Sequence, residues 1–221
     1  MGSFKGFGPK ALAFFTALKF HQDKAWFEEN RALYQSDVLE PMAALLEDLT
    51  GAFAARRIRL KADPRRSIFR IHRDVRFARD KSPYKTHCGA VMTRSGGKME
   101  QGLLYLHIDP EGCFAAAGFY MPVLAKLRQA IAGQPAKFKA VEAALRKGKL
   151  ALDTESQLSR TPRGFEALKG GPLDGVIRLK SLIVEEPLSK AEIVSPKLTE
   201  KVVDFALRAR PLLEFGWKAL D

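Results

Sequence analysis

The sequence predicts an α+β fold: an antiparallel β-sheet in the middle of the chain, covered by N-terminal and C-terminal helices. Three observations carry that expectation. Apolar residues recur at steps of three and four over the first sixty residues, the period shortens to two near residue 67, and the longer period returns beyond Pro122. The 221 residues are 46% hydrophobic and 28% charged, ordinary globular usage that excludes a disordered or collagen-like chain. With no internal repeat and no obvious linker, one α+β domain over residues 1–221 is expected.

Gly8 and Pro9 open a first helix, in which Leu12, Phe15 and Leu18 repeat at three-residue steps with Phe14 beside them. Asp23 can cap a second, with Trp26 and Phe27 in its first turn and Glu28 and Glu29 near the positive end of its dipole. A third begins near Ser36 or Asp37 and runs through Val38, Met42, Leu45, Leu46 and Leu49, with Pro41 placed to kink its first turns. Strands are expected over residues 67–77, 86–93, 102–109 and 112–120. Ser95-Gly96-Gly97 can close one hairpin, and Asp109-Pro110-Glu111-Gly112 suits a type I turn closing the next. Helical spacing resumes with Val123, Leu124, Leu127 and Ile131, and continues through Phe138, Val141 and Leu145. Between residues 146 and 195 only a short edge strand at 182–184 is assigned. Ser195-Pro196 opens a C-terminal helix with Leu198, Val202, Phe205 and Ala206 inward, and Pro211 is expected to start one more short helix carrying Trp217.

Charge narrows the partners. Lysine and arginine number 37 against 25 aspartates and glutamates, a net +12, which favours an anionic partner. Half of that excess lies between residues 65 and 85, where Arg65, Arg66, Arg70, Arg73, Arg76, Arg79, Lys81 and Lys85 face only Asp74 and Asp80. Two distant cysteines, Cys88 and Cys113, give neither a disulfide framework nor a cysteine zinc site, and fit a reducing cytoplasm. Residues 114–125, the longest nearly uncharged apolar stretch, are too short and too broken to span a bilayer. The N-terminal apolar run lacks a cleavage site, so no leader and no membrane partner are expected. Nothing in the sequence selects an oligomeric state.

Within residues 67–77 the odd positions include Phe69, Ile71, Val75 and Phe77, expected to be buried, while Arg70, His72, Asp74 and Arg76 take the even ones. On a strand those four would stand about 6.6 to 7 Å apart on one face. Two guanidinium forks, an imidazole and a carboxylate there suit a phosphate or carboxylate ligand. The alternative for the same face is a ladder of solvated ion pairs. Asp80-Lys81-Ser82-Pro83 then makes a sharp connector, with Tyr84 and Lys85 at the start of the next strand.

The run Phe69-Arg70-Ile71-His72-Arg73-Asp74-Val75-Arg76-Phe77, followed by Asp80-Lys81-Ser82-Pro83-Tyr84-Lys85-Thr86, resembles the signature of the conserved hypothetical family catalogued as domain of unknown function 2461. Further elements of that pattern stand in order: Lys24-Ala25-Trp26-Phe27 with Asn30-Arg31 and Tyr34, Tyr105-Leu106-His107-Ile108, Ala117-Gly118-Phe119-Tyr120, and Pro162-Arg163-Gly164-Phe165. His21-Gln22-Asp23 departs from it, standing where asparagines are expected before the tryptophan. The resemblance implies a single α+β domain and no established activity.

The expected function is binding of a small phosphorylated or carboxylated ligand by Arg70, Arg73, Arg76, Asp80, Lys81, Tyr84 and Lys85. His72 and Asp74 are the candidates for acid/base work. A nucleic-acid-binding module using the same basic face is the alternative, weakened because Phe69 and Phe77 fall on the apolar phase. Nucleophile-elbow, Walker and dinucleotide fingerprints are absent and no cofactor is expected. His21, His72, His87 and His107 show no fixed ligand spacing, so no metal is expected either. Tyr105 and His107 share a face of their strand, but their neighbours depend on register.

Overall fold

The computed structural model describes residues 3–120 and 123–221, which leaves Pro122 outside the described residues. Helix α1 (Ala11–Phe20) buries Ala11, Phe14, Phe15 and Leu18, a stripe at helical spacing. The carboxylate of Asp23 accepts the Trp26 N–H at 2.9 Å and caps α2 (Lys24–Glu29). Helix α3 (Arg31–Tyr34) runs through a π-helical turn, Gln35–Leu39, into α4 (Glu40–Ala55). Pro41 explains the wide turn. It has no N–H to give the Asp37 carbonyl, which instead accepts the Gly8 N–H at 3.0 Å.

Four strands, β1 (Cys88–Met92), β2 (Leu103–Ile108), β3 (Cys113–Phe119) and β4 (Leu182–Leu188), form one antiparallel sheet in the order β1-β2-β3-β4. Three lie inside the expected ranges. The turn between β2 and β3 closes with the Gly112 N–H on the Asp109 carbonyl at 3.2 Å. The fourth strand is the edge segment expected at 182–184, extended to Leu188 and carrying Pro187, which an edge tolerates.

The expected strand over residues 67–77 does not form. Helix α5 (Pro64–Ser67) takes its start, capped by Asp63. Only fragments then pair: Ile68 with Ala90 of β1, and His72 with Tyr84. Beyond Arg73, side chains take the place of a ladder. Asp74 accepts the Arg76 N–H at 3.3 Å, and Asp80 accepts the Ser82 N–H at 2.9 Å. Of the four apolar residues Ile71 alone is buried, Phe69 and Val75 are half-buried, and Phe77 is 96% exposed.

Helices α6 (Leu124–Gly133), α7 (Pro135–Lys147), α8 (Asp174–Arg178), α9 (Lys190–Ile193) and α10 (Leu198–Leu220) complete the fold. Pro211 starts no new helix but sits inside α10. It removes one backbone hydrogen bond, while Phe205, Ala206 and Ala209 before it and Leu212, Leu213 and Trp217 after it are all buried, so packing keeps the helix continuous. Helix α10 lies against β3, α4 and α7. Alternate residues of the sheet, including Ala90, Leu104, Leu106, Ala115, Ala117 and Val184, enter the common core. The opposite phase of β2 carries Tyr105 and His107. No helix among the described residues is long and apolar enough to cross a membrane.

Candidate functional site

The basic segment folds as two short paired stretches around a loop. The Arg73 N–H bonds the Pro83 carbonyl and the Lys85 N–H the Ile71 carbonyl, both at 2.8 Å. The loop between them is held by its own charges. Arg76 donates Nε and Nη2 to Asp74 at 2.9 and 2.7 Å, Arg73 pairs with Asp80, and Lys81 Nζ reaches the Val75 carbonyl at 3.0 Å. Hydrogen bonds from Ser82 and Arg73 hold the Asp80 carboxyl far below the usual carboxylate range.

The loop is anchored to the N-terminal helices by aromatic rings. Tyr84 stacks on Phe27 with centroids 4.6 Å apart, and His72 meets both rings edge-on or tilted. The departing turn has a definite job here, because Gln22 Oε1 accepts the Tyr84 N–H at 3.0 Å. His21 stacks on Trp26 beside it.

Two grooves flank Lys85. The larger, about 780 Å³, lies between the π-turn and start of α4 on one side and residues 64–72 on the other. Arg65, Arg70, His72, Lys85 and Lys98 line it, with Glu40 as the acidic residue. Lys98 comes from the loop between β1 and β2, so three separate segments contribute cations. Lys85 and Lys98 approach the Phe69 ring, 5.4 and 4.8 Å from its centroid, and donate to the Arg70 and Ile68 carbonyls at 3.0 and 2.6 Å. Burial lowers the pKa of each, helped by Arg70 at Lys85 and by Lys85 at Lys98. The smaller groove, about 340 Å³, is lined by Lys19, Gln22, Arg73, Asp80, Ser82, Tyr84, Lys85, Thr86 and His87.

The structure thus splits the expected site. Arg70 and His72 reach the large groove, Arg73, Asp80 and Tyr84 the small one, and Lys85 both. Asp74, Arg76 and Lys81 line neither, because the missing strand removes their common face. Asp74 is occupied by Arg76, and no carboxylate comes within ion-pair distance of His72 among the described residues. The histidines that do meet a carboxylate are His87 and His107, both facing Asp109. Antiparallel register makes that meeting: Cys88 pairs with Ile108 and Gly89 with His107. Spacing along one strand hides it; the readable trace is His107-Ile108-Asp109, whose ends share a face.

Helices on a four-stranded antiparallel sheet define the class: an α+β protein, here with a groove lined by Arg65, Arg70, Lys85 and Lys98. Over residues 10–215 the chain matches the family described as conserved hypothetical protein (DUF2461), and it belongs to that family. No curated protein and no solved structure gives a significant match.

Proposed function

We propose that the protein binds a small, multiply charged anion, a phosphorylated or carboxylated metabolite, in the groove beside Phe69. One observation carries this reading. Arg65, Arg70, Lys85 and Lys98 line that groove without a carboxylate partner among the described residues, whereas Arg73 and Arg76 of the neighbouring loop are paired. Gathering like charges, two of them on partly desolvated lysines, opposes folding unless a ligand offsets it. Arg70 would grip the anion through its planar fork and the lysines as point charges. His72, at the groove wall, is the side chain placed for acid/base work on a bound ligand. Two free, buried thiols, Cys88 and Cys113, are consistent with a reducing cytoplasmic setting.

The test is thermal unfolding of wild type, Arg70→Ala and Lys85→Met against a panel of phosphorylated metabolites and dicarboxylates. At least one compound is expected to raise the wild-type Tm, and at a hundred times its Kd the stabilisation should be about 2.7 kcal/mol. Both variants should lose that shift while the empty proteins melt no lower than wild type. Variants that melt lower with ligand affinity untouched would make the cluster structural, and a panel that moves nothing would remove the proposal.

The lysine shifts add a pH signature. With Lys85 and Lys98 lowered in the empty groove, unfolded chains bind more protons over the window between each folded pKa and the ordinary lysine value. Stability of the empty protein should therefore rise with pH through that window. Anion affinity should fall over the same window as the lysines lose charge. Urea unfolding of the empty protein and isothermal titration with the anion, each repeated across the alkaline side of neutrality, read the two effects.

A second reading, binding to single-stranded nucleic acid, is favoured by Phe77. Its ring stands exposed at the loop tip, with the Arg76 guanidinium 6.0 Å from its centroid, an arrangement suited to base stacking. An oligonucleotide arm of the same study decides it. Log K falling with log salt by about 0.7 per phosphate contacted, and loss of binding in Phe77→Ala, would displace the small-anion reading.

A further inference from the structure

We propose that His87, His107 and Asp109 form a binding site for one divalent transition-metal ion of the zinc type, on the face of the sheet that carries Tyr105. The ligand atoms converge with only long contacts among themselves. His107 Nε2 lies 3.5 Å from Asp109 Oδ2, a long and weak contact, and His87 Nδ1 lies 3.9 Å from it, too far for a hydrogen bond. All three groups are half-buried, with ligand atoms within 4.8 Å of one another. Four-coordinate zinc, with bonds near 2.0–2.1 Å, separates its ligands by about 3.3 Å. Closing the cluster by no more than about 1.5 Å would therefore complete three corners of such a site. Two imidazoles and a carboxylate suit Zn²⁺ and its neighbours in the first transition row rather than magnesium or calcium.

The surroundings are built as a metal site's would be. Tyr105 Oη lies 2.9 Å from His107 Nδ1. With the proton on Nδ1 and donated to Tyr105, Nε2 turns its lone pair toward Asp109 and the ring cannot swing. Gly89 makes that contact possible, because a Cβ there would come 2.6 Å from the Tyr105 hydroxyl. Phe114 stacks on the His107 ring, with centroids 4.7 Å apart. Asp109 is fixed by the turn, where its Oδ1 accepts the Glu111 N–H at 2.8 Å while Oδ2 faces the imidazoles. Burial disfavours the protonated form of both imidazoles, and the neutral form is the one that ligates. His87 also lines the small groove, from which solvent can supply a fourth ligand.

The test is titration of the full chain, stripped with chelator, by Zn²⁺ in competition with a chromogenic chelator, and by Co²⁺ read in the visible. One ion per chain is expected, with intense Co²⁺ ligand-field bands from a low-symmetry site. His87→Gln, His107→Gln and Asp109→Asn should each weaken Zn²⁺ by at least about a hundredfold, and Tyr105→Phe by about ten- to a hundredfold. His21→Ala should bind as wild type. No ligand-field bands in wild type would overturn the proposal without any variant, as would equal Zn²⁺ affinity in wild type and a folded His107→Gln. Anion binding is measured on the stripped chain, so the groove and the metal site succeed or fail separately.

Discussion

Trp217→Ala is expected to lower the free energy of unfolding by about 3–5 kcal/mol, read as a fall in the urea midpoint at unchanged slope. The ring is 1% exposed and among the largest fully buried side chains. Its Nε1 donates to the Gly102 carbonyl at 3.1 Å, so truncation opens a cavity and strands a buried acceptor. Gly102, with φ of +78°, is there because a Cβ would come 2.3 Å from that same nitrogen. The guanidinium carbons of Arg59 and Arg94 lie 5.7 and 5.4 Å from the ring centroid. Trp217→Phe keeps most of the volume but loses the hydrogen bond and part of the buried ring, so about 1–3 kcal/mol is expected. The effect reaches the groove as well. Trp217 pins the end of the β1–β2 loop, and Lys98 stands on that loop.

What the sequence made readable follows from how local each signal is. Helical stripes such as Phe14, Phe15 and Leu18, the Asp23 cap and the Asp109–Gly112 turn depend on a few neighbouring residues, and all stand where the spacing puts them. The family match rests on the same local runs. Residues 67–77 alternate as a strand would, yet a strand also needs an edge to join. The β1 edge serves Lys61 and Ile68, and after His72 the aspartates of the loop bond backbone N–H groups of their own neighbours. Alternation could not reveal that competition. Nor could it reveal Lys98, which enters the groove from a separate loop, or the meeting of His87 with Asp109, which depends on the pairing of β1 with β2. Pro211 errs in the opposite direction: a local breaking signal is overruled by apolar residues on both sides that the core holds in one helix.

Phe27→Ala is expected to cost about 3–5 kcal/mol and to weaken anion binding by about tenfold or more in the protein that remains folded. Phe27 is 2% exposed, belongs to one of the runs that carry the family resemblance and touches the other. Its ring stacks on Tyr84, meets His72 at 6.1 Å and Tyr34 at 5.7 Å, and lies under the Arg31 guanidinium. Aromatic pairs of this kind contribute about 0.5–1.5 kcal/mol beyond their buried area. Removing the ring releases Tyr84, which precedes Lys85, and His72, which follows Ile71, and those residues hold the two sides of the groove in register through the Lys85 N–H bond to Ile71. Tyr84→Phe keeps the stacked ring and should leave stability and affinity nearly unchanged. Phe77→Ala supplies the contrast. Alternation puts Phe77 in the same apolar phase as Ile71, but its exposed ring at the loop tip should cost less than about 0.5 kcal/mol to remove. Urea titrations of the three variants, with anion affinity measured at a temperature where each is folded, test whether the motif is fastened to the helices through Phe27. A Phe27→Ala protein that binds the anion as tightly as wild type would detach the aromatic cluster from the groove.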